Sequence, residues 1–212
     1  MNDFNSMIDG YRRFRSEGWG RQRDRWAELS QGQSPKVMVI ACSDSRVDPS
    51  TIFDTSPGEM FVVRNVANLV PPFELGGGRH GVSAALEFAV TQLEVGEIVV
   101  MGHGQCGGCR AALFQNFKDA KPGEGGFISR WIDMLDGERA KIVAQHGHDH
   151  DDAALLAMEH AAVRVSLGNL RSFPCIQERE AAGQIRLHGA YFALEDGLLH
   201  TLDEQTGAFG AA

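Results

Sequence analysis

Two runs in this 212-residue chain, VMVIA at 37–41 and EIVVM at 97–101, are short, almost wholly apolar and rich in β-branched residues. A strand with apolar side chains on both faces must be covered on both, which is the situation of parallel strands inside an α/β sheet. Each run stops against reactive side chains. The first leads into Cys42, Ser43, Asp44, Ser45 and Arg46; the second leads through Gly102 into His103, Gly104, Gln105, Cys106, two glycines and Cys109.

The intervening and following segments agree with that fold class. EMFVVRNVAN (59–68) reads as a third strand, and Val82, Leu86, Val90 and Leu93 keep one apolar face of a helix over roughly 80–93. Strand, connection, strand, helix, strand predicts a single α/β domain with a mainly parallel central sheet flanked by helices. The stretches 128–145 and 151–172 read as further helices, the second with Asp residues able to cap its start. IRLHGAYFAL, EDG and LLHTLD then predict a C-terminal β-hairpin with Gly197 in its turn, and PPFELGGGRHG (71–81) reads as a glycine-rich loop.

Residues 1–34 read as a helical arm and 35–212 as the α/β core, with Pro35 closing the arm. In the arm Phe4, Met7, Ile8, Tyr11 and Phe14 recur at helical spacing, and Trp26 and Leu29 continue an apolar face beyond a glycine break at Gly18 and Gly20. Six arginines between Arg12 and Arg25 read as a solvated face of an arm that packs on a partner subunit. The net charge of −8 weighs against nucleic acid or an anionic membrane as partner, because both attract basic surfaces. The first twenty residues lack the apolar core of a signal peptide, and no window approaches ~18 apolar residues, so a cytoplasmic protein is expected.

Parallel α/β sheets bind ligands in the crevice outside the carboxyl ends of their strands, so neighbouring strands would bring the two reactive segments together. Cys42, His103 and Cys106 would then offer two thiolates and an imidazole, a soft donor set suited to one Zn²⁺ with a fourth position left open. Asp44 and Arg46, two apart, can form a charge-assisted pair at the same edge. Asp44 can act as a hydrogen-bond acceptor beside the metal or as a ligand itself, and Arg46 decides between these. Two thiolates cancel the formal charge of zinc and leave a weaker Lewis acid than three imidazoles would, which predicts an alkaline activity profile.

CSDSRVDP (42–49), RNVANLVPP (64–72) and GHGQCGG (102–108), in that order, resemble the β-class carbonic anhydrases; the likeness runs from about Lys36 to Leu113, and HGAYFALEDGLL (188–199) resembles the family's closing strand. The resemblance implies that Cys42, His103 and Cys106 are zinc ligands and that Asp44 and Arg46 are the catalytic dyad, with Asp44 alternating between arginine and zinc. It implies reversible hydration of CO2 to bicarbonate and a proton by zinc-bound hydroxide oriented by Asp44, in a homodimer or dimer of dimers whose N-terminal helices embrace a second subunit. One branch of the family has a non-catalytic bicarbonate site; the matching positions here are Val39, Arg64 and Phe192, so only the arginine remains. An accessible fourth zinc position near neutral pH, and no strong inhibitory bicarbonate site of that type, are therefore expected. Plant-like members have a substrate-binding glutamine after VPP, where this chain has Leu75 and glycines.

Other readings bear on the same residues. A hydrolase of another cumulated molecule such as carbon disulfide would share the zinc set, a Cys-His hydrolase would use a thiolate nucleophile, and a non-catalytic zinc protein would close all four positions. Cys109 and Cys175 read as packing residues, HGHDHDD (146–152) as a polar loop, and Asp48 as a turn residue before Pro49.

Overall fold

The computed structural model describes residues 3–76, 78–147 and 151–212. The chain divides into two compact units, Met1–Ser34 and Pro35–Ala212.

In the first unit, α1 (Phe4–Arg13) starts at Asp3, whose carboxylate accepts the Ser6 N–H. A π-helical turn (Phe14–Gly18) leads into the short α2 (Trp19–Arg21), and α3 (Arg23–Leu29) follows Gln22. The expected glycine break is corrected here: Gly18 stays helical at φ −68°, and the interruption falls at Gln22, with φ −113°. Gly18 makes room for packing instead, since a Cβ there would lie 3.0 Å from the Phe14 ring, which meets Trp26 edge-on. Phe4, Met7, Tyr11 and Phe14 are exposed.

The second unit holds one six-stranded sheet in the order β2-β1-β3-β4-β5-β6. β1 (Val37–Cys42), β2 (Met60–Asn65), β3 (Glu97–His103) and β4 (Arg186–Phe192) are parallel; β5 (Leu199–Asp203) and β6 (Ala208–Ala211) return antiparallel. Because β2 and β3 flank β1 on opposite sides, the strand order reverses between β1 and β3, and the loops that leave those two ends diverge around a crevice.

Seven helices surround the sheet among the described residues: α4 (Pro49–Ile52), α5 (Gly81–Thr91), α6 (Gly107–Phe114), α7 (Gly126–Ile132), α8 (Asp136–His146), α9 (Asp152–Leu170) and α10 (Pro174–Ala181). Alternation along the strands sends Met38, Ile40, Ile98 and Val100 into one apolar layer with Leu86, Val90 and Leu167, and Val39, Ala41, Met101 and Ala190 into another. α9 is the central helix. Asp151 caps it by accepting the Ala154 N–H, as its aspartates suggest, and its Val163 lies so close to the sheet that only glycine fits beneath. A Cβ at Gly102 would be 2.8 Å from Val163 Cγ2, and one at Gly189 would be 3.0 Å from Val163 Cγ1.

The structure shortens or adds elements where local backbone chemistry overrides apolar pattern. β2 ends at Asn65, because Ala67 and Asn68 take left-handed φ of 62° and 50° and the Asn65 amide binds both the N–H and the C=O of Leu69. The helix expected over 128–145 is split by a 3-10 turn at Asp133–Leu135. α4, α6, α10 and β6 go beyond the sequence reading; Asp48 is the N-cap of α4, with Pro49 at its first turn. The predicted hairpin is present between β4 and β5, with Gly197 at φ 75°. Of the HGHDHDD tract, His146 ends α8 and Asp151 caps α9; residues 148–150 lie outside the described residues, as does Gly77 of the glycine-rich loop.

Gly102→Ala is expected to lower stability by about 1–3 kcal/mol through overpacking against α9. Adding Val163→Ala should recover part of that loss in denaturant unfolding; a double variant no more stable than Gly102→Ala would place the strain elsewhere.

Candidate metal centre

The parallel register of β1 and β3 aligns Ala41 with Met101, so the next residues, Cys42 and Gly102-His103, leave the sheet side by side. Cys106 follows at the cap of α6. The ligand atoms of Cys42, His103 and Cys106 all lie within 4.8 Å of one another, and all three residues are buried. Among the described residues these form the one His/Cys/Asp/Glu group with metal-ligand spacing.

The donor chemistry fits a metal. His103 Nδ1 donates to the Gly104 carbonyl at 2.9 Å, which leaves the lone pair on Nε2; that buried atom has no hydrogen-bond partner among the described residues. An orphaned buried nitrogen is costly unless something coordinates it. The two thiols lie 3.9 Å apart. The Cys42 thiol is pushed up to about 12 by its contact with Cys106 and by burial, and the Cys106 thiol is pushed up by the neighbouring Cys109 thiol. Two buried thiols and an aimed imidazole form a site that becomes favourable when a soft divalent cation replaces the thiol protons.

Asp44 stands at the mouth of this group, its Oδ2 4.0 Å from His103 Nε2. Arg46 grips it through three donors: Nε to Oδ1 at 2.9 Å, an outer guanidinium nitrogen to Oδ2 at 2.7 Å, and its own backbone N–H to Oδ1 at 3.0 Å. The hydrogen bonds from Arg46 hold the Asp44 carboxyl well below the usual carboxylate range, so it is ionised at all ordinary pH. The same guanidinium donates to the Gln105 carbonyl at 2.9 Å, which ties the loop after β1 to the loop after β3. With Asp44 so engaged, the three-member cluster excludes it.

Three residues matter here beyond the motif. Arg64 donates to the carbonyls of Cys42, Asp44 and Val47 at 2.9, 2.6 and 2.9 Å, fastening the turn that presents Cys42 and Asp44. A fourth donor faces Asp48 Oδ2 at 3.3 Å, while Val39 is buried and Phe192 packs against the apolar cluster around Cys106. Glu159 and Tyr191 form a buried pair behind Cys106, in which the Tyr191 hydroxyl and the Cys106 N–H both donate to the Glu159 carboxylate. The sequence carried a signal for Glu159: it sits on the face of α9 that also buries Leu155, Met158, Ala162 and Val163, where an acid needs a reason. Gly104 keeps an ordinary φ and allows a close approach, since a Cβ there would meet the Tyr191 hydroxyl at 3.1 Å; the left-handed position is Gln105, at φ 54°. Cys109 is buried beside Cys106, and Cys175 packs against the main apolar layer.

Comparison with known proteins agrees with this geometry. A family model described as carbonic anhydrase matches residues 37–199. A carbonic anhydrase of Pseudomonas aeruginosa is 37% identical over 203 residues, spanning 96% of this chain and 89% of the relative. The solved structure of the β-carbonic anhydrase CcaA superposes with a TM-score of 0.90 at 30% identity, covering 98% of this chain and 91% of that one. Tetrameric β-carbonic anhydrases of Sordaria macrospora reach a TM-score of 0.82 at 28% identity, covering 98% of each chain.

Because both thiols are raised, Zn²⁺ must displace their protons to bind, and apparent affinity should climb by up to about 100-fold per pH unit between pH 6 and 8, for two protons released. Chelator competition across that range measures it; an affinity independent of pH would contradict the thiol assignment.

Proposed function

The chain belongs to the β-class carbonic anhydrases, which hydrate carbon dioxide reversibly to bicarbonate and a proton, and on that premise we propose how its own residues divide that work. The observation that carries the proposal is the convergence of Cys42, His103 and Cys106 beside an ionised Asp44 held by Arg46. Cys42, His103 and Cys106 hold one zinc ion per subunit. Zinc, when bound, supplies the Lewis acidity that makes water nucleophilic near neutral pH.

Asp44 acts as a hydrogen-bond acceptor at the mouth of the site. An ionised carboxylate can only accept, so it fixes where the reacting water points its hydrogen and leaves an oxygen lone pair free for the carbon of CO2. Arg46 keeps Asp44 in that role by occupying both of its oxygens; released from Arg46, Asp44 would become a fourth ligand and close the site. Two thiolates would cancel the formal charge of a bound zinc and leave it a weaker Lewis acid than neutral ligands would, so activity is expected to rise toward alkaline pH. Arg64, engaged by three backbone carbonyls and by Asp48, is directed away from the role of an anion site. The carbon disulfide and non-catalytic zinc readings are not favoured by these relatives.

The exposed apolar side chains of Phe4, Met7 and Tyr11 support an arm that packs on a second copy of the chain, giving a homodimer or a dimer of dimers. Among the described residues no helix is long and apolar enough to cross a membrane. Four free cysteines suit a reducing compartment, which supports a cytoplasmic location.

Asp44→Asn should lower kcat for CO2 hydration by at least about 10-fold while zinc content stays at one per subunit, since positioned acid–base and hydrogen-bonding groups contribute on the order of 100-fold or more. In the unmodified protein, hydration should be faster at pH 8.5 than at pH 7. A zinc-replete protein without hydration at either pH would defeat the reading. Replacing Phe4, Met7 and Tyr11 together by Ser should move the sedimenting species toward monomer; an unchanged mass would remove the arm from the interface.

A further inference from the structure

Glu159 is a carboxylate only 3% exposed in the middle of α9, and no described arginine or lysine pairs with it within ion-pair distance. Its two oxygens are used. Oε1 accepts the Cys106 N–H at 2.8 Å, and Oε2 accepts the Tyr191 hydroxyl at 2.9 Å. Burial pushes its pKa up, opposed by the Cys106 N–H, the Tyr191 hydroxyl, the charge of Arg110 and the Gln105 N–H.

The peptide joining Gln105 to Cys106 is therefore held at both ends. Its N–H points at Glu159, and its carbonyl oxygen accepts from the Arg46 guanidinium at 2.9 Å. A trans peptide directs these groups oppositely, so the Glu159 carboxyl oxygen behind the loop and the Arg46 guanidinium in front of it pull along one dipole. This clamp acts where Gln105 takes a left-handed φ of 54°, a conformation that a residue with a side chain adopts only when its surroundings enforce it. Arg110 adds a further tie by donating to the Gln105 side-chain oxygen at 2.7 Å.

We propose that Glu159 is a positioning residue for the metal centre: through the Gln105–Cys106 peptide it fixes the Cys106 thiolate and, on the other side of the same peptide, the seat of Arg46 against Asp44. Tyr191 orients Glu159 from behind. The inference rests on the reading of Cys42, His103 and Cys106 as zinc ligands. It assigns the acid a task that neither packing nor an ion pair explains, since a hydrophobic residue of similar size would fill the space without the desolvation cost.

The test measures the zinc affinity of the full chain by chelator competition and the thiolate-to-cobalt absorption of the Co²⁺-substituted protein. Glu159→Gln keeps the shape and one acceptor but removes the charge; Glu159→Ala removes both. Ser166→Ala serves as control, because Ser166 is buried on the same helix and, among the described residues, its hydroxyl bonds the Asn68 carbonyl and the Val70 N–H, away from Glu159. Glu159→Gln should bind zinc at least about 10-fold more weakly with a shifted cobalt band, Glu159→Ala more weakly still, and Ser166→Ala like the unmodified protein. Should Glu159→Gln fail to fold, Tyr191→Phe removes one donor from the same carboxylate and should show a smaller loss in the same direction. Affinity within twofold and an unshifted band in the Gln and Phe variants, or an equal loss in Ser166→Ala, would overturn the proposal. An unmodified protein that binds no zinc would instead remove the ligand reading, and this inference with it.

Discussion

The parallel pairing of β1 with β3 is the constraint on which the rest of the structure depends. It aligns Ala41 with Met101, and everything reactive lies just beyond that pair, on the two loops that part at the point where strand order reverses. A slip of one residue would exchange the two faces of β1 and carry Cys42 out of step with His103. The register is held by apolar burial on both faces and by Val163 of α9, which presses on Gly102 and Gly189. The glycines before His103 and within β4 therefore underlie the placement of the Cys42, His103 and Cys106 cluster.

On that foundation three charged side chains convert loose loops into a fixed cradle. Arg64 gathers the carbonyls of the loop after β1, Glu159 takes an N–H of the loop after β3, and Arg46 reaches from the first loop to the second. All three act on backbone groups. Loops at a sheet edge lack ladder partners, and charged side chains supply the missing ones with stronger, more directional bonds than neutral groups would. The ligands are thereby placed before any metal arrives, and the ordering cost falls on folding instead of on binding.

The strands, their parallel sense and the clustering of Cys42, His103 and Cys106 were legible because each had a short-range signature: β-branched runs, a reactive residue at each run's end, and glycines beside them. The closing hairpin was legible from Gly197. Other features depended on partners distant in sequence. β6 is four residues, AFGA, with a glycine inside, and exists because β5 offers an open edge. α6 has a weak local pattern and forms where Cys106 caps it against α9. Gly18 and Gly20 misled because glycine permits a break without requiring one, and Phe14 needed the space. Arg64 was noticed only as a remnant of an anion site, since no sequence pattern tells a guanidinium facing carbonyls from one facing solvent.

The pairing of Asp44 with Arg46 follows from the same balance. Arg46 is half exposed while Asp44 is largely sheltered, so water weakens the pair on the arginine side but cannot readily replace it on the aspartate side. What keeps Arg46 in place is its second acceptor, the Gln105 carbonyl, which belongs to the cradle and does not move with Asp44. A conformation with Asp44 on the metal would have to leave the guanidinium with Gln105 alone, and two of its donors would then need water. Arg46 is thus seated by a residue of the other loop, which makes the pairing of Asp44 a property of the β1–β3 crossing as a whole.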